Sequence, residues 1–421
     1  MTDKFLIKGA KKLEGEVEIS GYKNSAGACL AAALLTNEDV ILDNLPLVED
    51  IFKMIEILKE MGAEINWLGE RKIKIRAKNI NPEKMDFEKV GQTRISVLLI
   101  GPLLARFKKF KISHPGGDRI GLRPITTHLE ALKELGANIQ NEGNFYFFEG
   151  KNLKGKEVVL KEFSVTATEN LMLIAVLTPG KTIIKGAAAE PQVQDLGFLL
   201  QKMGAKISGL GTHTILILGV EKLNGCRHQI IPDLLEAGTF IAIGAAVPGE
   251  IKIKNVIPEH LDIFLDKLKE IGVQFEKGKD FVKIGDPIKN FRAVRVQALP
   301  YPGFQTDLLP IVVPILTQAN GKSLVHDPLY ENRFNYIQEL KKMGADIEIV
   351  DPHRTFVYGK TPLHGVKIES WDIRAGASLV IAALLAQGET TIEEVYQIDR
   401  GYEKIDEKLR NLGADIKRIK N

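Results

Sequence analysis

The segment 113–129 combines a carboxylate, two guanidinium groups and a glycine-rich stretch, and this set suits chemistry on an anionic substrate. Asp118 could transfer a proton. Arg119 and Arg123 could hold an anion, and the second precedes a helix that we expect to run from Pro124 through Leu135, since proline favours a first helical position. A solvated glycine turn with a structural ion pair would use the same residues, so this segment alone leaves both interpretations open.

The elements that position this segment are indicated by a repeat that fills the chain. A phrase close to Leu-x-x-Met-Gly-Ala-x-Ile occurs six times at spacings of 68 to 74 residues. Its glycines are Gly62, Gly136, Gly204, Gly272, Gly344 and Gly413. Each phrase predicts the end of a helix with a left-handed glycine cap, followed by a strand.

Each copy is predicted to contain the same elements in the same order before its phrase. In the first copy we expect a strand at 17–20, a helix at 24–35, a strand at 39–42 and a second helix at 48–60. The first helix of every copy is apolar on all sides, which is typical of a buried helix, whereas the second is amphipathic. The sequence therefore predicts an α/β protein in which the copies cluster in groups of three, with their apolar helices inside each group.

Polar residues stand just before the helices of each copy. The clusters before buried helices are Lys23-Asn24, Thr93-Arg94, Ser164-Val165-Thr166, Asp233, Thr306-Asp307 and Asp372 to Arg374. Those before outer helices are Asp43-Asn44, Asp118 with Arg123, Glu190, Glu259-His260, Glu331 to Arg333 and Asp399-Arg400. Because equivalent loops lie at one end of a repeat domain, we expect these groups to converge. They would form an anion site with two acids, suited to phosphate or carboxylate.

Composition excludes several classes of function. The 421 residues are 44% apolar and 26% charged, with a net charge of +3. The chain therefore lacks the excess of basic residues that would indicate binding to nucleic acid or to an acidic membrane surface. Cys29 and Cys226 predict neither a disulfide framework nor a metal site, and we expect a cytoplasmic protein without membrane spans, metal or organic cofactor. Neither the P-loop nor the dinucleotide fingerprint is complete.

Several motifs resemble those of the UDP-N-acetylglucosamine enolpyruvyltransferase family over essentially the whole chain. They are Gly21-Tyr-Lys-Asn-Ser-Ala26, Pro115-Gly-Gly-Asp-Arg-Ile-Gly-Leu-Arg-Pro124, Ala188-Ala-Glu-Pro191, Glu236-Ala-Gly-Thr239, Tyr301-Pro-Gly-Phe-Gln-Thr-Asp307, Glu331-Asn-Arg-Phe334, Asp372-Ile-Arg-Ala-Gly-Ala377 and Ile398-Asp-Arg-Gly-Tyr-Glu403. The related 5-enolpyruvylshikimate-3-phosphate synthases usually have Lys-Ser in place of Lys23-Asn24, so they resemble this chain less.

The resemblance implies a two-domain inside-out α/β barrel built from six βαβαββ-like repeats, the enolpyruvyltransferase fold. One domain would span residues 21–231 and carry the Asp118 lid loop. The other would combine residues 1–20 with 232–421 and carry Asp307, Arg374 and Arg400. The implied reaction transfers enolpyruvate from phosphoenolpyruvate to the 3-hydroxyl of UDP-N-acetylglucosamine, the first committed step toward peptidoglycan, in a monomer or weak homo-oligomer.

The resemblance also implies roles for individual residues. Asp118 would be the acid that protonates the methylene carbon and Asp307 the base near the attacking hydroxyl. The residues that would hold phosphoenolpyruvate are Lys23, Asn24, Arg123 and Arg400, of which Lys23 and Arg400 would also take part in catalysis. Those that would neutralise the site are Arg94, Arg333 and Arg374. The remaining implied substrate contacts are Pro124, Ile125, Thr126, Thr127, Ser164, Val165, Glu190, Asp233, Leu329 and Asp372.

The chain departs from the family pattern at two kinds of position. Most members have Cys at position 118, and fosfomycin alkylates that thiol, so Asp118 implies intrinsic fosfomycin resistance. Thr126, Thr166, Leu234 and Leu309 replace the usual Asp, Gly, Arg and Gln on the nucleotide-sugar side. A paralogue with another nucleotide sugar or hydroxyl acceptor therefore stays open, as does a non-catalytic binding protein of the same fold.

Overall fold

The computed structural model describes residues 3–117, 120–285 and 290–420. The chain divides into two compact units. Unit I comprises Gly21–Gly117 and Arg123–Ile231, and unit II comprises Met1–Ser20, Asp118–Leu122 and Pro232–Asn421. The sequence prediction assigned the lid loop to the domain that corresponds to unit I, but its residues 120–122 contact the polypeptide near Glu331 and group with unit II.

The strands and helices alternate along the whole chain. The strands are β1 (Lys4–Lys8), β2 (Leu13–Glu18), β3 (Asp39–Asp43), β4 (Glu64–Gly69), β5 (Lys72–Arg76), β6 (Lys109–Ser113), β7 (Asn138–Glu142), β8 (Phe145–Glu149), β9 (Glu157–Val159), β10 (Lys181–Lys185), β11 (Lys206–Ser208), β12 (Thr214–Leu218), β13 (Cys226–Gln229), β14 (Gly249–Lys254), β15 (Phe275–Lys277), β16 (Phe281–Ile284), β17 (Phe291–Arg292), β18 (Arg295–Gln297), β19 (Ala319–His326), β20 (Asp346–Asp351), β21 (Arg354–Gly359), β22 (Lys367–Glu369), β23 (Glu389–Glu393) and β24 (Asp415–Ile419). The α-helices are α1 (Lys23–Ala32), α2 (Glu49–Glu60), α3 (Phe87–Gln92), α4 (Ile100–Phe107), α5 (Thr126–Glu134), α6 (Val165–Ala175), α7 (Pro191–Lys202), α8 (Leu234–Ala246), α9 (Asp262–Ile271), α10 (Leu309–Leu316), α11 (Ile337–Lys342), α12 (Ile373–Leu385), α13 (Tyr396–Asp399) and α14 (Ile405–Asn411).

The predicted buried helices are confirmed. Helices α1 and α6 of unit I and α8, α10 and α12 of unit II bury nearly all their residues, and α4 of unit I buries five of its eight. The amphipathic helices lie outside, and α2 buries only one face. Apolar helices therefore occupy the interior of each unit, and sheets and amphipathic helices lie outside them, which confirms the inside-out α/β barrel.

Sheets surround the buried helices of each unit. Among the described residues of unit I the strand orders are β13-β3-β5-β4, β6-β8-β7 and β11-β12-β10-β9. In unit II they are β22-β23-β1-β24, β15-β16-β14-β2 and β17-β19-β21-β20, with β18 beside β19. The second copy departs from the predicted order, because α3 stands where other copies begin with a strand.

A parallel strand pair lies at the edge of a sheet in each unit. The strand predicted at 17–20 is β2, which ends at Glu18 and pairs in parallel with β14 of unit II. In the matching place of unit I, β13 pairs in parallel with β3, with His228 opposite Leu42. Unit II therefore contains the N-terminal strands β1 and β2, whereas β13 lies within the span Arg123–Ile231 of unit I.

The six repeated glycines end the outer helices as predicted. Their φ angles run from +96° to +110°, the left-handed region that residues with a side chain rarely adopt. A strand begins two or three residues after each of them. The recurring phrase is therefore a helix C-cap joined to a strand.

Within the described residues, no helix combines the length and the hydropathy that a membrane crossing needs.

Candidate functional site

Lys23 is the first residue of α1 and forms a buried ion pair in unit I. Its Nζ donates to Oδ2 of Asp50 at 3.0 Å, and the two side chains are 8% and 2% exposed. Asp50 lies in the first turn of α2. Asn24, half-buried beside Lys23, donates from Nδ2 to the Tyr22 hydroxyl at 3.4 Å. The first turn of α1 therefore holds an ammonium group in fixed geometry.

Arg94 and Arg123 lie together against Gly117 in unit I. A Cβ at Gly117 would lie 3.0 Å from Nη1 of Arg123 and 3.0 Å from Cβ of Arg94, and its φ is +134°. Arg94 also donates from Nη2 to the Pro124 carbonyl at 3.5 Å. The glycine thus allows two guanidinium side chains to share one small region, where an anion would be favoured.

The predicted start of α5 is wrong by two residues. Pro124 is exposed and precedes Ile125, whose φ of −103° and ψ of 24° are not helical, so α5 begins at Thr126. Thr126 is exposed. Thr127 donates from Oγ1 to Glu162 at 2.6 Å. The implied substrate contacts at 124–127 are therefore contiguous at the beginning of one helix.

His128 links α5 to the beginning of α6. Its Nε2 lies 2.8 Å from Oγ1 of Thr166, and the ring is only 3% exposed. Burial, and next the positive charge of Arg94, lower the pKa of His128 to about 3, so the imidazole is neutral at neutral pH. At the start of α6, Ser164 accepts from the Ala167 N–H at 3.3 Å, and Val165 is the first helical residue.

Glu190 directly precedes α7 and interacts with a buried acid on α6. Glu169 is 1% exposed, and burial, together with the negative charge of Glu190, raises its pKa well above the usual range. Both causes favour the neutral form of Glu169, which would weaken the repulsion between the two acids. Glu190 is half-buried at the position before α7, in the same copy of the repeat as Ser164, which caps α6.

In unit II, Asp307 receives two guanidinium groups. Arg333, 2% exposed, donates from Nη2 to Oδ1 of Asp307 and to the Thr306 carbonyl, the latter at 3.1 Å. Arg374 donates from Nε to Oδ2 of Asp307 at 3.4 Å. Burial alone would lower the pKa of Arg333, but the neighbouring carboxylates, first that of Asp307, raise it. Both cations therefore stay charged and fix the orientation of the carboxylate.

Asp233 and Asp372 cap the buried helices of unit II. Oδ1 of Asp233 accepts from the Leu235 and Glu236 amides at 2.7 and 3.1 Å, and Oδ1 of Asp372 accepts from the Arg374 and Ala375 amides at 2.8 Å each. Burial raises the pKa of Asp233 to about 6, against the opposing effect of Arg374. The two aspartates therefore cap the first turns of α8 and α12.

Arg400 and Leu329 have different surroundings in unit II. Arg400 follows α13, is 7% exposed and donates from Nη1 to Oε1 of Gln397 at 3.0 Å. Leu329 is 43% exposed, and its amide donates to Oδ1 of Asp327 at 2.9 Å. Asp327 also accepts from the Thr306 hydroxyl at 2.5 Å, so the Leu329 segment is joined to the turn that carries Asp307.

The described end of the lid loop is held by Glu331. The Leu122 amide donates to Oε1 of Glu331 at 2.7 Å, and the Asn332 amide donates to the Ile120 carbonyl at 3.2 Å. The hydrogen bond from Leu122 lowers the pKa of Glu331. Asp118 and Arg119, the acid and one cation singled out from the sequence, lie outside the described residues.

Comparison with known proteins decides the family. The sequence model of the family described as EPSP synthase (3-phosphoshikimate 1-carboxyvinyltransferase) matches residues 7–409. The chain belongs to this carboxyvinyltransferase family.

Curated relatives of this transferase chain cover its full length. The UDP-N-acetylglucosamine 1-carboxyvinyltransferase of Koribacter versatilis is 46% identical over 422 residues, which cover 99% of this chain and 96% of the relative. The protein of the same name from Acidobacterium capsulatum is 44% identical and covers 100% and 97%. The crystal structure of the enolpyruvyl transferase NikO from Streptomyces tendae matches with a TM-score of 0.91 at 25% identity, over 100% of this chain and 99% of that one.

One cluster in this carboxyvinyltransferase has metal-ligand chemistry. Within the described residues, Cys29, Asp195 and His228 are buried and place one possible ligand atom each within 4.8 Å of one another. However, Asp195 and His228 already bond each other at 2.9 Å, and the Lys202 ammonium lies 3.2 Å from the second ring nitrogen of His228. Because a positive charge at that nitrogen opposes a cation, hydrogen bonding explains the cluster better than metal binding.

Sequence reasoning missed several partners of the transferase site residues. Asp50 pairs with Lys23 across 27 residues, and Asp195 bonds Ser25 across 170. His128, which the sequence analysis did not single out, bonds Thr166. The signal for Asp50 was an acid in the first turn of an outer helix, where the polar clusters of the repeats were already noted. No comparable signal marks Asp195, whose neighbours come from distant copies.

Proposed function

We propose that this enolpyruvyl (1-carboxyvinyl) transferase moves the enolpyruvyl group of phosphoenolpyruvate to the 3-hydroxyl of UDP-N-acetylglucosamine and releases inorganic phosphate. The observation that carries the proposal is the identity of 46% and 44% to two full-length relatives that bear this activity as their name. The reaction would supply a peptidoglycan precursor, with the cell-shape and cell-division roles that follow. The enzyme would act in the cytoplasm as a monomer or weak homo-oligomer.

Unit I would supply most of the phosphoenolpyruvate contacts. Lys23 has a rigid ammonium because Asp50 holds it in a buried pair, and Asn24 lies beside it. Arg123 and Arg94, which meet at Gly117, suit the phosphate and carboxylate groups because guanidinium binds both in bidentate geometry. Arg400 would contact the same substrate, as the sequence resemblance implies. These cations would also stabilise negative charge on the departing phosphate.

Asp307 would accept the proton of the attacking hydroxyl. Arg333 and Arg374 hold its carboxylate in a fixed orientation through two ion pairs. As the acceptor oxygen bonds to the second carbon of phosphoenolpyruvate, Asp118 would deliver a proton to the methylene carbon. Loss of a proton from that carbon and of phosphate from its neighbour then restores the double bond.

The departures from the family pattern bear on the identity of the acceptor. Leu234 and Leu309 are 2% and 0% exposed at the starts of α8 and α10, so packing accounts for both. Thr166 carries its hydroxyl to His128 at the beginning of α6, among the implied nucleotide contacts. A second candidate, transfer to another nucleotide sugar or hydroxyl acceptor, rests on the substitutions themselves, of which Thr126 and Thr166 have no packing explanation.

Phosphate release from phosphoenolpyruvate tests the proposal. We expect release to require UDP-N-acetylglucosamine and not to occur with shikimate 3-phosphate. Release that requires a different nucleotide would support the second candidate, and phosphoenolpyruvate binding without release with any acceptor would support a non-catalytic protein.

Asp118 and fosfomycin give a second, independent test. The Asp118→Asn variant should lose turnover, because an amide cannot donate the required proton. Since Asp118 offers no thiol, we also propose fosfomycin resistance: the wild-type enzyme should keep its activity after incubation with the epoxide, whereas Asp118→Cys should be inactivated. Alkylation of Asp118 detected by mass spectrometry would contradict this resistance.

A further inference from the structure

The turn that carries Lys23 and Asn24 is tied at both ends to one distant residue of unit I. The segment Tyr22–Ser25, here called the Lys23 turn, begins with the Tyr22 amide donating to the Ile231 carbonyl at 2.7 Å. At its other end the Ser25 hydroxyl donates to Oδ2 of Asp195. That same oxygen accepts from the Ile231 amide at 3.4 Å. Residue 231 therefore holds the turn directly at one end and through Asp195 at the other.

Asp195 is itself fixed by a chain of hydrogen bonds. It is 2% exposed on α7, and its Oδ1 lies 2.9 Å from Nε2 of His228 on β13. The ammonium of Lys202 has no lone pair, so it must donate to Nδ1 of His228 at 3.2 Å. The ring therefore carries its proton on Nε2 and donates it to Asp195. Two donors from distant elements, with the amide of Ile231, define the position of this carboxylate.

We propose that Asp195 is a positioning residue for phosphoenolpyruvate binding, which acts through the Ser25 hydroxyl to hold Lys23 and Asn24 in their binding geometry. The inference rests on the proposed function of Lys23 and Asn24. Asp50 anchors only the far end of the Lys23 side chain, whereas the Ser25–Asp195 and Tyr22–Ile231 hydrogen bonds hold the residues on either side of Lys23 and Asn24. A displacement of about 1 Å in a substrate contact costs substantial rate or affinity, so the backbone tie has a functional consequence.

The test replaces the hydroxyl while leaving every implied substrate contact in place. In Ser25→Ala we expect the KM for phosphoenolpyruvate to rise roughly tenfold, the scale of a lost hydrogen bond to a charged group. The KM for UDP-N-acetylglucosamine should change much less, and Ser25→Thr, which restores a hydroxyl, should recover most of the loss. Asp195→Asn should act in the same direction, because its amide cannot accept from both His228 and Ser25.

A matched control and an assay independent of activity complete the experiment. Thr178→Val removes an equally buried hydroxyl at the far end of α6, where Thr178 donates to Ile174 at 2.9 Å, and should leave both KM values unchanged. Hydrogen exchange of the peptide 21–32, measured on the full chain, should be faster in Ser25→Ala and Asp195→Asn than in wild type and Thr178→Val.

The outcomes separate this inference from the proposed function. If the wild-type enzyme released no phosphate, the proposed function would be refuted. Hydrogen exchange would still test whether the Ser25–Asp195 hydrogen bond holds the Lys23 turn. Unchanged exchange at 21–32 in folded Ser25→Ala and Asp195→Asn would overturn the inference. Equal increases in both KM values, or a fall in activity that only follows the folded fraction, would overturn it as well.

Discussion

Removing Asp50 should destabilise the protein far more than the loss of an ordinary ion pair. An exposed pair contributes about 0 to 1 kcal/mol because water screens both charges. Lys23 and Asp50 are 8% and 2% exposed and 3.0 Å apart, so that screening is small here. In Asp50→Ala the ammonium of Lys23 would stay buried without this carboxylate. We therefore expect the free energy of unfolding, from urea denaturation at pH 7, to fall by about 3 to 5 kcal/mol.

A double variant separates stability from function. Replacing both partners, as in Lys23→Met with Asp50→Leu, removes the buried charges and should return the free energy of unfolding to within about 1 kcal/mol of wild type. The same protein should release no phosphate, because the proposed contact of Lys23 with phosphoenolpyruvate is gone. A loss below about 1 kcal/mol in Asp50→Ala would refute the buried-pair reasoning. An active double variant would refute the role of Lys23.

Two further predictions concern stability. His128 has a pKa of about 3 in the folded protein and 6.5 in the unfolded chain, so between these pH values only the unfolded chain binds a proton at this residue. The free energy of unfolding should therefore decrease as the pH falls from 6.5 toward 3. Between pH 7 and 4, urea denaturation should show wild type losing on the order of 3 kcal/mol more than His128→Gln, and equal losses would contradict the low pKa. Gly204→Ala should cost about 1 to 2 kcal/mol from its left-handed φ alone. Gly136→Ala should cost more, because its new Cβ would lie 2.8 Å from a backbone oxygen, whereas the new Cβ at Gly204 would lie 3.4 Å from a side chain. Thermal melts that show the larger loss of stability for Gly204→Ala would contradict this.

The repeated phrase made most of the fold predictable. A glycine cap and an all-apolar helix depend on nearby residues, so Gly62 and its five equivalents and the buried helices followed from the sequence. The second copy was mispredicted because Asp86 caps α3 through two amides, at 2.9 and 3.1 Å, where a strand was expected. The first turn of α5 was placed early because Ile125 after Pro124 is not helical.

The candidate site was predictable in its charged residues but less so in the groups that orient them. Arginines before helices could be compared across copies, which singled out Arg94, Arg123 and Arg374. Their contacts depend on tertiary packing: Asp307 meets Arg374 across 67 residues, and the Asp195 contacts join three separate elements. Such long-range pairings leave no period in a single sequence.

The product of the reaction tests the central claim most directly. Incubation of the wild-type enzyme with phosphoenolpyruvate and UDP-N-acetylglucosamine, followed by mass spectrometry and NMR, should reveal a nucleotide sugar that carries an enolpyruvyl ether at its 3-hydroxyl, formed in equal amount to inorganic phosphate. Unchanged UDP-N-acetylglucosamine, under conditions where another acceptor gains the enolpyruvyl group or none does, would contradict the account.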